Sequence, residues 1–236
     1  MSVRTRVVVL FVVAAVLRFA WLGTPPATFD ETWSWYNLHL IRTWKGWLLP
    51  VGFGLDGPSY VIINLAVTRV LGNEIGPLRI PPAVFSTLSV PLFYVLVRRL
   101  GTERIAWHAA LLMAISPYFI FYAKDARPYS QALFTCLLFT WGWVVTEGTT
   151  HPWRRRALIA ALTALAVGSQ YYSLIFFAAI YSQCLWLNWQ SGRRAAMWDD
   201  LLTGAISLVA ISPLLLLFAL SVTHLRDRRS PAPSPN

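Results

Sequence analysis

The sequence predicts an all-α, polytopic membrane protein. Of its 236 residues, 56% are hydrophobic, only 13% are charged and 12 are Trp. The mean hydropathy is +0.53. Soluble globular proteins carry charge on about 25% of their residues, so this composition excludes that class. Long apolar runs separated by short Arg clusters are the second observation that predicts membrane spans.

The apolar runs set the number of predicted spans. A helix needs roughly 20 mostly apolar residues to cross a bilayer. We therefore expect about seven transmembrane helices, some extended by flanking residues. They lie around Val7–Leu22, Ile80–Val97, Ile105–Tyr122, Ala132–Val145, Leu158–Val167, Leu174–Leu187 and Leu201–Val222.

The basic residues indicate orientation rather than a nucleic-acid partner. The net charge is +10, but the Arg residues fall in clusters between the apolar runs. Cytoplasmic turns carry the excess of Lys and Arg, so we expect these clusters inside. They are Arg4 with Arg6, Arg98-Arg99 with Arg104, Arg154–Arg156, and Arg193-Arg194.

One apolar segment does not fit as a span. Ser59–Leu71 is short and contains Arg69, and crossing there would turn the later Arg clusters outward. We expect an interfacial helix lying flat at the outer face. Residues 1–222 then form one transmembrane domain with a long outer loop at 23–78, and the Pro-rich residues 223–236 are a disordered tail.

The chain has only ten carboxylates, and several fall at the predicted outer face. They lie there with two cations, in a set formed by Asp30, Glu31, Asp56, Glu74, Lys124, Asp125 and Arg127. A channel or proton relay would place charge nearer mid-membrane. Two simpler interpretations stay open: Asp30 as the N-cap of a helix, and Lys124-Asp125-x-Arg127 as interfacial ion pairs that reach water.

Such a set suits attack by a hydroxyl on a phosphate-activated substrate. One carboxylate can take the proton of the nucleophile as a general base. The cations can stabilise the charge that develops on the departing phosphate. A divalent metal is a candidate cofactor for the same task, and its candidate ligands are Asp30, Asp56 and Asp125.

Several motifs occur in the order of a known family. They are Asp30-Glu31 followed by aromatic residues, Asp56-Gly-Pro-Ser-Tyr60, Gly72 to Arg79-Ile-Pro81, Ser116-Pro117 to Arg127-Pro-Tyr129, and Gln170-Tyr171-Tyr172. In these motifs the chain resembles the GT-C superfamily of polyprenyl-phosphate-sugar glycosyltransferases. The branch it is similar to contains the protein O-mannosyltransferases and the lipid A aminoarabinose transferase.

The resemblance implies a GT-C core module that catalyses inverting sugar transfer. The donor is a polyprenyl-phosphate monosaccharide, and the acceptor hydroxyl belongs to a protein, a lipid or a glycan. Asp30 is the expected base, with Glu31 beside it as the second catalytic residue. Substrate or phosphate contacts are expected from Asp56, Arg79, Lys124, Asp125, Arg127, Tyr129, Gln170 and Tyr171. The expected location is a bacterial plasma membrane with the site facing outward.

The sequence departs from the resemblance at two positions. Gly57 stands where the aminoarabinose enzyme has Lys, and Gln170 stands where many relatives have His. Family members also continue with further spans. Two alternatives therefore remain: a non-enzymatic protein that binds or flips a lipid phosphate, and a truncated core that is inactive alone.

Overall fold

The computed structural model describes residues 1–41, 56–72 and 74–229, with backbone only for residues 37, 39–41 and 221–229. Its regular elements in these ranges are helices, apart from an isolated antiparallel bridge between Asp56 and Gln170. The predicted all-α fold class is confirmed. The sequence has a Trp-rich stretch from Trp33 to Trp47, and its part from residue 42 onward lies outside the described residues.

Helices begin close to the predicted boundaries. In chain order they are α1 Val3–Phe19, α2 Phe29–Ile41, α3 Pro58–Leu71, α4 Ile75–Leu78, α5 Ile80–Leu100, α6 Glu103–Ile115, α7 Pro117–Ala123, α8 Tyr129–Thr146, α9 Pro152–Ser169, α10 Ser173–Gln190 and α11 Arg194–Arg229. Several start with Pro in the first turn, where its missing N–H is not needed.

The helices are not all long enough to count as spans. Within the described residues, two helical segments are long and apolar enough to cross a membrane: Ile75–Leu100 and Arg194–Leu220. The bent pair α6 and α7 would be a third if both helices belong to one span. Other helices at the predicted runs have 17 or 18 residues. The prediction of seven spans is therefore not confirmed and stays a prediction.

The run Ile105–Tyr122 was expected to form one helix, and this detail is wrong. The chain is extended at Ser116, and α6 and α7 meet at an angle of 55°. Pro117 causes the break because it has no N–H to continue the helical ladder.

Three apolar clusters hold the helices together in the described part of the chain. In the first, α1, α5 and α6 pack through buried residues that include Leu10, Val90 and Ala110. In the second, α8 to α11 surround Phe139, whose ring lies 4.6 Å from that of Phe177. The third packs Tyr60 of α3 against the turn after α7.

The predicted cytoplasmic turns carry ion pairs. Glu103 binds both Arg6 and Arg98 at 2.8 Å, which joins the ends of α1, α5 and α6. Arg155 contacts Asp199 at 2.5 Å and Asp200 at 3.1 Å, which joins α9 to α11. The first and second apolar clusters therefore each have an ionic network at one end.

The structure shows helix in part of the segment that was predicted to be a disordered tail. Helix α11 continues to Arg229, so residues 223–229 of the predicted disordered tail are helical; this stretch has no Pro or Gly. Residues 230–236 lie outside the described residues.

Helix α3 has 14 residues, too few for a span, and exposes Ile62 and Val70 while it buries Tyr60.

Candidate active site

Glu31 lies at the centre of the outer region and is fully buried. Arg79 binds it with two parallel hydrogen bonds of 2.7 Å, from Nε to Oε1 and from Nη2 to Oε2. The backbone N–H groups of Thr28 and Ala126 also donate to Glu31, at 3.0 and 2.8 Å. Both carboxylate oxygens are thus occupied by protein donors.

Arg79 uses its remaining donors on the chain before α2. Its Nη1 donates to the carbonyls of Leu22 and Pro25 at 3.2 and 2.9 Å, and its Nη2 donates to that of Pro26 at 3.3 Å. Burial acts to raise the pKa of Glu31, but the hydrogen bonds and charge of Arg79, with the two backbone amides, lower it overall. Glu31 is therefore an ionised anchor for this loop.

Glu31 was expected to be catalytic and Arg79 to contact substrate, and both roles stay predictions. The structure shows that the two residues are buried, bind each other and the backbone, and line a common cavity. Their contacts hold α2 to the start of α5. The relevant sequence signal is Thr28-x-x-Glu31, a capping box.

The capping box also decides the role of Asp30. Thr28 Oγ1 accepts a hydrogen bond of 3.1 Å from the N–H of Glu31, and the Glu31 carboxylate accepts one of 3.0 Å from the N–H of Thr28. Thr28 is therefore the N-cap of α2, and the interpretation of Asp30 as the cap is wrong. Asp30 is exposed in the first turn of α2 and is not used to start the helix.

The turn after α7 brings the second motif to the same place. Its Ala126 N–H donates to Glu31, and its Ala126 carbonyl accepts a short hydrogen bond from the Tyr60 hydroxyl. Thr28 Oγ1 donates to Asp125 Oδ1 at 3.3 Å. The Lys124 ammonium donates to the carbonyl of Ala20 at 2.7 Å.

Asp125 is the carboxyl of this turn, and its pKa is shifted upward. Burial raises the pKa of Asp125 to about 6, and the negative charge of Glu31 contributes to the rise. The hydrogen bond from Thr28 and the charge of Arg127 oppose it, while Asp30 adds to it. Asp125 therefore changes its charge within the range of ordinary working conditions.

Asp56 and Arg127 form a second, looser pair. Arg127 Nη1 lies 3.4 Å from both oxygens of Asp56 and 2.8 Å from the Ser34 hydroxyl. Burial raises the pKa of Asp56, against the opposing charge of Arg127. Asp30 adds to the rise, so its charge acts on both Asp56 and Asp125. The guanidinium of Arg127 also lies 5.7 Å from the ring centre of Tyr129.

The loop after α9 lies beside Asp56. Gln170 forms the antiparallel bridge to Asp56, and Tyr171 packs against Phe218 with ring centres 4.5 Å apart. Buried polar atoms without a hydrogen-bond partner in the described part of the chain are concentrated in this region. They include Asp56 Oδ1, Arg127 Nε, Gln170 Oε1 and Tyr171 OH.

Most of the predicted site residues lie close to one another. Asp30, Asp56, Asp125, Arg127 and Tyr129 lie around the turn after α7, and Gln170 reaches them through Asp56. A cavity of about 210 Å³ meets this group at Asp125, and its lining also includes Glu31, Arg79 and Lys124. Sequence reasoning missed Thr28, Ser34 and Tyr60, whose side chains bind the acidic residues or the turn.

The residues do not fit the candidate metal site. Within residues 1–41, 56–72 and 74–229, no three His, Cys, Asp or Glu side chains are close enough to share an ion. Asp56 is bound by Ser34 and Arg127, and Asp125 by Thr28. No chemical step below depends on a metal.

Comparison with known proteins gives the family. The model of the family described as "Dolichyl-phosphate-mannose-protein mannosyltransferase" matches residues 57–217. This range includes Arg79, the turn after α7 and Gln170, and begins after Asp30. A search of the curated proteins finds no match.

Two solved structures show the same fold. One is the S. cerevisiae protein O-mannosyltransferase Pmt1-Pmt2 complex bound to the sugar donor, with a TM-score of 0.68, 16% identity, and coverage of 97% of this chain and 34% of that one. The other is the archaeal oligosaccharyltransferase AglB from Archaeoglobus fulgidus, in complex with an inhibitory peptide and a dolichol-phosphate. Its TM-score is 0.68, with 16% identity and coverage of 95% and 32%.

The chain thus spans about a third of the length of each solved relative. The family match covers most of the chain, and the fold is similar to that of both structures. We conclude that this integral membrane protein has the GT-C fold and belongs to the dolichyl-phosphate-mannose-protein mannosyltransferase family.

Proposed function

We propose that the chain transfers a monosaccharide from a polyprenyl-phosphate donor to the hydroxyl of a protein, lipid or glycan. The reaction takes place at the non-cytoplasmic face of the membrane and inverts the anomeric centre. The observation that carries this proposal is the position of Asp30. It is an exposed carboxylate in the first turn of α2, it is not the helix cap, and it adjoins Glu31, which binds the turn after α7.

In the proposed reaction the acceptor oxygen attacks the anomeric carbon from the face opposite the phosphate. The bond between that carbon and the phosphate oxygen breaks as the new bond forms. Asp30 takes the acceptor proton, and polyprenyl phosphate departs with the electron pair of the broken bond. A general base of this kind contributes about 10² to 10⁴ in rate.

The cations of the turn suit the departing phosphate. Arg127 has a buried Nε without a protein partner in the described chain, and its loose contact with Asp56 leaves it able to bind an anion. Lys124 lines the 210 Å³ cavity and uses one of its donors on Ala20, which leaves others for a ligand. Charge that develops on the leaving group is stabilised by such fixed donors.

The family supports this proposal, and the structural neighbours give the kind of ligand. The Pmt1-Pmt2 complex is bound to the sugar donor, and AglB is in complex with a dolichol-phosphate. We propose that this chain also uses a lipid-phosphate sugar as its donor.

The test is sugar transfer from radiolabelled polyprenyl-phosphate sugars in membranes that express residues 1–236. Asp30→Asn keeps the shape of the side chain and removes the base, so we expect donor binding without product. Glu74→Gln is the matched control, because Glu74 is also an exposed outer carboxylate. It should form product like the wild type.

The alternatives give different results in this assay. Product from Asp30→Asn at the wild-type rate would show that Asp30 is not the base. Donor binding without product, even in the wild type, would favour a protein that binds or flips a lipid phosphate. Product that appears only when missing segments are supplied in trans would identify the chain as an incomplete core.

A further inference from the structure

Arg18, near the end of α1, is a fully buried cation. It has no carboxylate within ion-pair distance in the described chain. A buried charge without a counter-ion is costly and is retained only where its donors are well used. The partners of Arg18 therefore indicate what it does.

The guanidinium binds at the break between α6 and α7. Nη1 donates to the carbonyl of Ala114 at 3.0 Å, and Nη2 donates to that of Met113 at 3.3 Å. Nε donates to the Ser86 hydroxyl of α5 at 2.7 Å, and Nη1 has a further, longer contact of 3.4 Å with the Ala14 carbonyl.

These two carbonyls are among those that the break deprives of a helical backbone donor. In an unbroken helix, the N–H groups of residues 117 and 118 would donate to the carbonyls of Met113 and Ala114. Pro117 has no N–H, and the extended Ser116 turns the chain away before Tyr118. Arg18 thus supplies the donors that the backbone cannot.

Helix α7 is held at its other end by the same part of α1. Lys124 follows α7, and its ammonium donates to the Ala20 carbonyl at 2.7 Å. The Ser86 hydroxyl, which binds Arg18, also donates to the Phe119 carbonyl within α7 at 3.4 Å. The end of α1 therefore fixes both the start and the finish of this short helix.

The direction of α7 matters because the turn after it carries Asp125 and Arg127. This turn contacts α2 and its N-cap through Ala126 to Glu31, Asp125 to Thr28 and Arg127 to Ser34, so a change in the bend would disturb all three contacts. We propose that Arg18 is a positioning residue for sugar transfer: it holds the break between α6 and α7 and so sets the place of Asp125 and Arg127. This inference rests on the proposed function.

The experiment combines Arg18→Met with Pro117→Ala. Arg18→Met leaves the two carbonyls without donors, so we expect a lower melting temperature and a fall in kcat on the order of 10²-fold, the effect of a misplaced site. Adding Pro117→Ala restores an N–H for Met113, and the double variant should regain most of the lost melting temperature. Its kcat should stay low, because the helix is now free to straighten. Arg18→Lys keeps a buried donor and should recover part of kcat.

Leu10→Ala is the control for stability alone. Leu10 is also fully buried on α1, but it packs within the first apolar cluster. Assayed below its melting temperature, this variant should keep the wild-type kcat. Recovery of kcat together with stability in the double variant would overturn the proposal, and so would an equal loss of kcat in Leu10→Ala.

A second measurement does not depend on transfer. Spin labels at Ile105 and Phe121, both exposed, report the bend in a background with Cys136→Ala and Cys184→Ala. We expect a longer distance in the Arg18→Met, Pro117→Ala double variant than in the wild type. An unchanged distance would show that Arg18 does not hold the bend, whereas lack of transfer by the wild type would count against the proposed function only.

Discussion

Gly57 lies directly against the backbone of Gly168. A Cβ atom at position 57 would approach the Gly168 carbonyl oxygen to 2.2 Å and the Ser169 carbonyl carbon to 2.6 Å. These are backbone atoms and cannot rotate away. The absence of a side chain at position 57 therefore has a structural reason: the start of α3 touches the end of α9, and no side chain fits between them.

We expect Gly57→Ala to destabilise the fold by about 1–3 kcal/mol, the usual cost of overpacking. Thermal unfolding in detergent measures this. Gly76→Ala is the matched control, because a Cβ there meets nothing within 4 Å. Equal melting temperatures for the two variants would mean that α3 and α9 separate more easily than the structure indicates.

Removing one partner of the Glu31–Arg79 pair should be far more damaging than removing an exposed carboxylate. Glu31→Gln leaves the buried Arg79 without its counter-charge, and loss of one partner in a buried pair costs about 3–5 kcal/mol. Glu74→Gln should change stability little. If Glu31→Gln kept the wild-type melting temperature and lost only sugar transfer, Glu31 would be a catalytic residue after all.

Stability should fall as the pH rises through the range set by Asp125. The pKa of Asp125 is raised to about 6 in the folded chain, and it is about 3.9 when unfolded. The folded state thus binds more protons between these values, so ionisation of Asp125 above pH 4 destabilises it. Melting temperatures from pH 4 to 7 measure the slope.

Asp125→Asn should flatten that slope. Asp56 contributes in the same direction, because burial also raises its pKa. Asp56→Asn should therefore reduce the slope of melting temperature against pH further. Glu31 has a lowered pKa and acts oppositely, at pH values below about 4.3 where its unfolded form takes up a proton. A slope unchanged by Asp125→Asn would assign the titration to another group.

Tyr171→Phe should separate function from stability. The Tyr171 hydroxyl is buried and has no partner in the described chain, so its removal should not lower the melting temperature. If the hydroxyl binds substrate, as predicted, transfer should fall. Tyr181→Phe is the control: it loses the 3.0 Å contact with Ser207 and about 1 kcal/mol of stability. Unchanged transfer in Tyr171→Phe would remove Tyr171 from the predicted site.

The sequence predicted the helices well because apolar runs must be helical in a membrane. The placement of Asp30, Asp56, Asp125 and Arg127 at the outer face of the membrane stays a prediction. The break at Pro117 and the capping box of Thr28 were visible in the sequence as a Pro after Ser and as Thr-x-x-Glu. Both are local signals that were outweighed by the length of the apolar run and by the acidic pair.

The roles of Glu31 and Arg79 could not be predicted in the same way. They are 48 positions apart, and their pairing depends on how α2 packs beside the start of α5. A catalytic carboxylate and a buried structural one look alike in sequence. Burial and bonded partners distinguish them, and both are properties of the folded chain.

The exposure of Asp30 has a chemical consequence for the proposed reaction. Water is also a hydroxyl nucleophile, and a base that solvent reaches can deprotonate it as readily as an alcohol. Donor hydrolysis would then compete with glycosylation, and the product ratio would depend on which nucleophile occupies the position beside Asp30. We therefore expect free sugar to accumulate when acceptor is scarce and to decline as acceptor saturates the enzyme.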